Sequence, residues 1–192
     1  MTPEPLVTLK DLDISVENVV ATASLDQKLD LMAIMKVFRN VEYRPKKFPG
    51  LVFRLKRPKT ATLIFSTGKM VCTGAKSDKL AHSAIRKVVK ELKSNGIIIL
   101  GKPEIIVQNI VATANLHTYI DLEAAADILD NVMYEPEQFP ALIYRMAEPK
   151  VVILVFSSGK LVCTGAKSAE MVDEAIMKLY KILDEYGLLF ED

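Results

Sequence analysis

Two cysteines and two histidines are all that 192 residues offer in soft metal ligands. Cys72 and Cys163 are too few for a disulfide framework, and His82 and His117 do not complete a zinc-binding set, so no metal is expected. No phosphate-binding loop and no nucleophile–base pairing is visible. An enzyme therefore has little to stand on, and neither catalytic residues nor a cofactor are expected. Long apolar runs are missing too: Val151 to Phe156 and Ile97 to Leu100 fall far short of the roughly 18 residues of a membrane helix. The start, Met1-Thr2-Pro3-Glu4-Pro5, has neither the basic nor the apolar region of a signal peptide. The expectation is a cytosolic or nuclear protein with no membrane partner. With half of its residues apolar, the chain has material for one compact unit or two small fused ones, and disorder is not expected.

Net charge is only +1, which gives no whole-chain electrostatic signal for nucleic acid. The two halves differ sharply: residues 1–100 carry 18 Lys+Arg against 9 Asp+Glu, and residues 101–192 carry 7 against 15. Such asymmetry suits a first half that meets a polyanion and a second half that also serves a basic partner; drifted surface charge is the plain alternative.

The chain is built on an internal repeat. Val16-Glu17-Asn18-Val19-Val20-Ala21-Thr22-Ala23 returns as Val107-Gln108-Asn109-Ile110-Val111-Ala112-Thr113-Ala114. Gly68-Lys69-Met70-Val71-Cys72-Thr73-Gly74-Ala75-Lys76-Ser77 returns as Gly159-Lys160-Leu161-Val162-Cys163-Thr164-Gly165-Ala166-Lys167-Ser168. A constant offset of 91 runs without a gap from Ile14 to Gly96, with 39 of 83 positions identical. Two copies of this length are too long and too few for a solenoid, so a pseudo-twofold pair sharing one sheet is expected: a short segment 1–13, a first repeat 14–100 and a second 101–192. Within each copy the periodicity predicts a strand (Ile14 to Ala23), then a helix through Leu31, Ile34, Met35 and Phe38. A hairpin follows (Leu51 to Lys56 and Ala61 to Ser66, joined by Arg57-Pro58-Lys59), then a strand Met70 to Thr73. A second helix is capped by Ser77, carries Leu80, Ala84, Ile85, Val88 and Leu92 on one face, and stops at Asn95-Gly96; Ile97 to Leu100 is read as a further strand.

Alternation puts Met70 and Cys72 on one sheet face and Lys69, Val71 and Thr73 on the other; Leu63 and Phe65 likewise oppose Thr62 and Ile64. Both faces are rich in apolar residues, although a sheet covered on one side normally shows polar residues on the other. Two helices per copy can cover one face. The second is then a bare apolar surface of the kind that marks interaction sites, unless the two copies form a sandwich that buries both. On that face Asn18 and Asn109, Val20 and Val111, Val71 and Val162, and Thr73 and Thr164 recur, with charge confined to strand ends at Lys56, Arg57, Lys59, Lys69, Lys76, Lys150, Lys160 and Lys167. An apolar floor with a cationic rim is what a minor-groove binder needs. A module that grips a peptide on the same face is the competing expectation. Cys72 and Cys163 fall with core residues and are read as small buried apolar groups.

Gln108-Asn109-Ile110-Val111-Ala112-Thr113, Tyr134-Glu135-Pro136-Glu137 with Phe139-Pro140, Leu142-Ile143-Tyr144-Arg145-Met146 and both Val-Cys-Thr-Gly-Ala-Lys runs resemble the TATA-binding protein family from about Ile14 to the C-terminus, in the archaeal rather than the eukaryotic form. The resemblance implies an α+β fold in which two pseudo-symmetric repeats form one curved antiparallel saddle with four main helices on the convex face. It implies a general transcription factor that binds A·T-rich promoter DNA in the minor groove, bends it by phenylalanine insertion, and recruits transcription factor B and RNA polymerase. The setting would be cytoplasmic and nucleoid-associated in an archaeon, nuclear in a eukaryote. By the same resemblance Asn18, Asn109, Thr73 and Thr164 are the central hydrogen-bonding set. Val20, Val71, Val111 and Val162 are the apolar floor, with Leu63 and Leu154 beside the wedges Phe48 with Phe65 and Phe139 with Phe156. Arg54 and Arg145 contact the backbone; Lys59, Lys69, Lys150 and Lys160 rim the phosphates. Glu135, Glu137 and Gln138 lie where the family holds transcription factor B, Gln138 departing from the more usual apolar residue.

Overall fold

The computed structural model describes residues 6–192; the extreme N-terminus, considered above for a leader, lies outside them. Among the described residues two compact units emerge, one of residues 18–109 and one of residues 6–17 with 110–192.

In the unit of residues 18–109, β1 (Ser15–Ser24, from residue 18 on) is followed by α1 (Leu31–Val37), β2 (Val41–Glu42), β3 (Leu51–Lys56), β4 (Lys59–Ile64), β5 (Lys69–Ala75) and α2 (Asp78–Ser94). The strands pair antiparallel in the order β2-β3-β4-β5-β1. Both helices start on side-chain caps: Asp30 accepts from the Ala33 N–H, and Ser77 from the Leu80 N–H at 3.1 Å. Such caps satisfy backbone donors that the first helical turn leaves without partners.

The other unit repeats the plan. β6 (Glu104–Asn115, from residue 110 on) leads to β7 (Tyr119–Ile120), α3 (Leu122–Ile128), β8 (Val132–Met133), β9 (Leu142–Met146), β10 (Val151–Val155), β11 (Lys160–Ala166), α4 (Ala169–Glu185) and β12 (Leu189–Phe190). Its sheet order is β8-β9-β10-β11-β6, with β12 paired to β7 separately.

α2 lies across β3, β4 and β5, and α4 against β11. The core is therefore the helix side of each sheet. In one unit it holds Val19, Ala21, Leu51, Phe53, Ile64, Met70 and Cys72 against Ala81, Ala84, Ile85, Val88, Val89 and Leu92; in the other, Ile110, Ala112, Leu142, Ile153, Leu161 and Cys163 against Val172, Ala175, Ile176, Leu179 and Leu183. Fully burying one of the Val, Leu, Ile, Phe or Met side chains among these contributes about 1.5–3 kcal/mol.

Three sequence expectations are corrected. Leu80 is 39% exposed: it sits one position outside the stripe that Ala81, Ala84, Ile85 and Val88 turn inward. Ile97 to Leu100 forms no strand. Instead the Gln27 carboxamide holds it, donating to the Ile98 carbonyl and accepting from the Leu100 N–H, both at 2.9 Å. The second hairpin strand starts at Lys59, not Ala61, because the Arg57-Pro58 turn is tight enough for Lys56 and Lys59 to pair directly.

Candidate nucleic-acid interface

In the unit of residues 18–109, the sheet face away from α2 carries Asn18, Val20 and Thr22 from β1, Val52 and Arg54 from β3, Ala61 and Leu63 from β4, and Val71 and Thr73 from β5. Arg54 is exposed and the others partly exposed, whereas the residues alternating with them on β4 and β5 are buried. Register sets the neighbours: Leu63 faces Val71, Ala61 faces Thr73, and Thr22 faces Val71. In the other unit Leu154 faces Val162, Val152 faces Thr164, and Val162 faces Thr113. These side chains keep solvent contact.

The polar group at the centre is oriented. Asn18 Oδ1 accepts the Gly74 N–H at 2.7 Å, and its Nδ2 lies 3.2 Å from the Thr73 hydroxyl. Gly74 adopts φ +99°, beside an irregularity in the β1–β5 register; such bulges turn a backbone group toward a side chain. With Oδ1 accepting from Gly74 and one Nδ2 hydrogen directed at the Thr73 hydroxyl, the carboxamide keeps one N–H donor. Asn109 and Thr164 hold the matching positions in the second repeat.

Four phenylalanines form two pairs. Phe48 meets Phe65 edge-to-face at 6.0 Å and 70°, and Phe139 meets Phe156 at 6.3 Å and 68°. Phe48 and Phe139 are each 42% exposed, alike in the two repeats. Gly50 makes room for the first pair: a Cβ there would stand 2.7 Å from the Phe48 ring and 3.1 Å from that of Phe65. At the matching position Ala141 buries its methyl. An open hollow of about 630 Å³ beside Phe65 is lined by Thr22, Ser24, Lys69, Val71 and Ile106.

Cations surround the face. Lys59, Lys69 and Lys160 are exposed as the first residues of β4, β5 and β11, Lys150 is exposed in the turn just before β10, and Arg54 and Arg145 are exposed on β3 and β9. Lys56 directly opposite Lys59 is a like-charge pair that costs stability without an anion between them. Glu135, Glu137 and Gln138 are exposed on one loop, held by bonds from the Gln138 and Phe139 N–H groups to the Glu135 carbonyl, both at 3.0 Å.

The sequence reading missed Thr22, Thr113, Glu17 and Gln108. Gln108 donates to the Thr22 hydroxyl at 3.0 Å, and the Thr113 hydroxyl to Glu17 at 3.3 Å. A carboxylate thus reaches a face read as free of charge in its middle. The signal was present, since Thr22 and Thr113 recur in both copies and alternate in step with Val20 and Val111. Both cysteines are fully buried. Burial pushes the Cys163 thiol up to about 11, and Cys72 upward too, the latter partly offset by the Thr62 and Thr60 hydroxyls. Thiolate chemistry is suppressed at both.

The layout defines a two-repeat, sheet-faced protein with paired surface aromatics. Residues 13–95 and 104–186 each match the family model described as transcription factor TFIID, or TATA-binding protein. The chain is 57% identical to the TATA-box-binding protein of Pyrodictium occultum, over 88% of this chain and 85% of that protein. It is 53% identical to that of Sulfurisphaera tokodaii, over 96% and 93%. The solved TATA-binding protein of Methanococcus jannaschii superposes with a TM-score of 0.81 at 48% identity, covering 91% of this chain and 98% of the other. The chain belongs to the TATA-binding protein family, a family of DNA-binding transcription factors rather than enzymes, and has its fold.

Proposed function

We propose that the chain binds A·T-rich promoter duplex in the minor groove, each unit laying its open sheet face on the DNA, and bends it by inserting Phe48 with Phe65 and Phe139 with Phe156. The observation that carries this is the partly exposed valine and leucine floor with an amide donor fixed at its centre. In the minor groove A·T and T·A pairs show only acceptors, while guanine adds an amino donor. Asn18 and Asn109, with Thr73 and Thr164, supply donors to those acceptors. Val20, Val71, Val111 and Val162 offer no acceptor to a guanine amino group, whose unpaired burial costs about 1–3 kcal/mol. Leu63 and Leu154 pack beside the wedges, and unstacking a step costs about a few kcal/mol, repaid by the contact that bending allows. In this family wedge insertion accompanies a kink of about 80°. Arg54, Arg145, Lys59, Lys69, Lys150 and Lys160 meet phosphates.

Titrating an A·T-rich and a G·C-rich duplex at two salt concentrations tests the reading. Preference for the A·T duplex with a steep salt dependence is expected. Equal affinity for both, or tight salt-insensitive binding of a peptide instead, contradicts it.

The exposed loop of Glu135, Glu137 and Gln138 then recruits a basic region of transcription factor B, and through it RNA polymerase, on the nucleoid of an archaeal cell. Changing Glu135 and Glu137 to Lys is expected to abolish the ternary complex in a gel shift and leave the binary one. Intact ternary assembly removes that role.

A further inference from the structure

A neighbouring strand puts a carboxylate beside one of the two repeat-related arginines and a thioether beside the other. Glu42 on β2 pairs with Val52 on β3, so Arg54, two residues further along β3, is its diagonal neighbour on the same open sheet face. In the second repeat Met133 on β8 pairs with Ile143 on β9, and Arg145 is the corresponding diagonal neighbour. Glu42 and Met133 are related by the repeat offset of 91, as are Arg54 and Arg145.

Glu42 is engaged. Its Oε2 accepts from Arg54 Nη1 at 3.4 Å, and its Oε1 lies 3.5 Å from Arg44 Nε. The pair with Arg54 stays open to solvent, the side chains being 46% exposed for Glu42 and 60% for Arg54. Arg145 is exposed, and its guanidinium has no ion-pair partner among the described residues. Met133 beside it, 54% exposed, brings no charge. A guanidinium binds phosphate through the same planar fork of N–H donors that binds carboxylate. Glu42 therefore takes a donor that a phosphate at Arg54 would use, and stands as a like charge next to that phosphate. At Arg145 neither cost arises.

We propose that Glu42 is an internal competitor for the DNA backbone at Arg54, an affinity-determining residue that weakens one of the two arginine contacts, and that Met133 leaves the contact of Arg145 unopposed. The proposal rests on the DNA-binding reading above, in which both arginines meet phosphates, and adds that the two contacts differ in strength. Phosphate displaces a carboxylate at Arg54, whereas at Arg145 it displaces only water and mobile ions.

Fluorescence anisotropy with an A·T-rich duplex across a salt series tests this, using the substitutions that the repeat itself supplies. Glu42→Met is expected to tighten binding roughly two- to five-fold, the range of an exposed ion pair. It is also expected to steepen the slope of log K against log salt by about 0.9, as for one further phosphate neutralised. Met133→Glu is expected to loosen binding by a similar factor and to flatten the slope. A cycle with Arg54→Gln locates the effect, run with Arg44→Gln throughout so that Glu42 keeps only Arg54 beside it. The gain from Glu42→Met is expected to vanish once Arg54 is replaced. Unchanged or weaker binding by Glu42→Met overturns the competitor, the weaker result making Glu42 a positioning partner of Arg54 instead. A gain that survives Arg54→Gln also overturns it, because loss of surface negative charge would then account for the gain without Arg54. Failure of the unaltered protein to prefer the A·T duplex overturns the DNA-binding reading on which the competitor rests.

Discussion

At the scale of single residues, the repeat supplies an internal control, because each position can be compared with its counterpart 91 residues on. Thr62 is fully buried on the helix side of β4, its hydroxyl without a nitrogen or oxygen partner by ordinary geometry among the described residues, where the second copy has Ile153. A buried hydroxyl lacking a good partner costs free energy that an apolar group of like shape does not. Thr62→Val is expected to raise stability by about 1 kcal/mol, read as a higher thermal midpoint; a lower midpoint would show that the contact with the Cys72 thiol matters more. Gly50 and Ala141 differ for a comparable steric reason. The first phenylalanine pair occupies space that a methyl fills in the second unit. Sequence alone could not give this, since glycine before a strand reads as a turn signal and the ring that needs its space is Phe65, far along the chain.

Among the elements, the hairpins and main helices were legible because their signals are local. The alternation of β3 and β5, the Ser77 cap and the Arg57-Pro58 turn all act within a few residues. What stayed hidden depends on partners distant in sequence. Ile97 to Leu100 has a strand's composition but pairs with the Gln27 side chain. β2, β7, β8 and β12 span two residues each and have no period to detect. The phenylalanine pairs were named from family resemblance, and the edge-to-face contacts between their rings give that naming a geometry. Phe65 belongs to the partly exposed surface rather than the core. Phe65→Ala is therefore expected to cost less than the roughly 3–5 kcal/mol of a core phenylalanine while clearly reducing the bend of bound DNA measured by fluorescence energy transfer. An unaltered bend in that variant would remove the wedge role.

For the whole molecule, near-neutral net charge conceals an uneven distribution. The basic first half and acidic second half differ most clearly at the loops preceding the phenylalanine pairs, where Lys46 and Lys47 answer Glu137 and Gln138. Duplication provides two nearly equal floors, and charge makes them unequal. The central claim is that these floors read the minor groove, where the guanine amino group is what distinguishes G·C from A·T. Replacing every A·T pair of a bound site by inosine·cytosine changes the major-groove pattern and leaves the minor groove without that amino group. Competition binding on such a duplex is the most direct measurement: affinity within a few-fold of the A·T site is predicted, against a large loss when guanine replaces inosine. Equal loss with inosine and guanine would place the recognition in the major groove and contradict the claim.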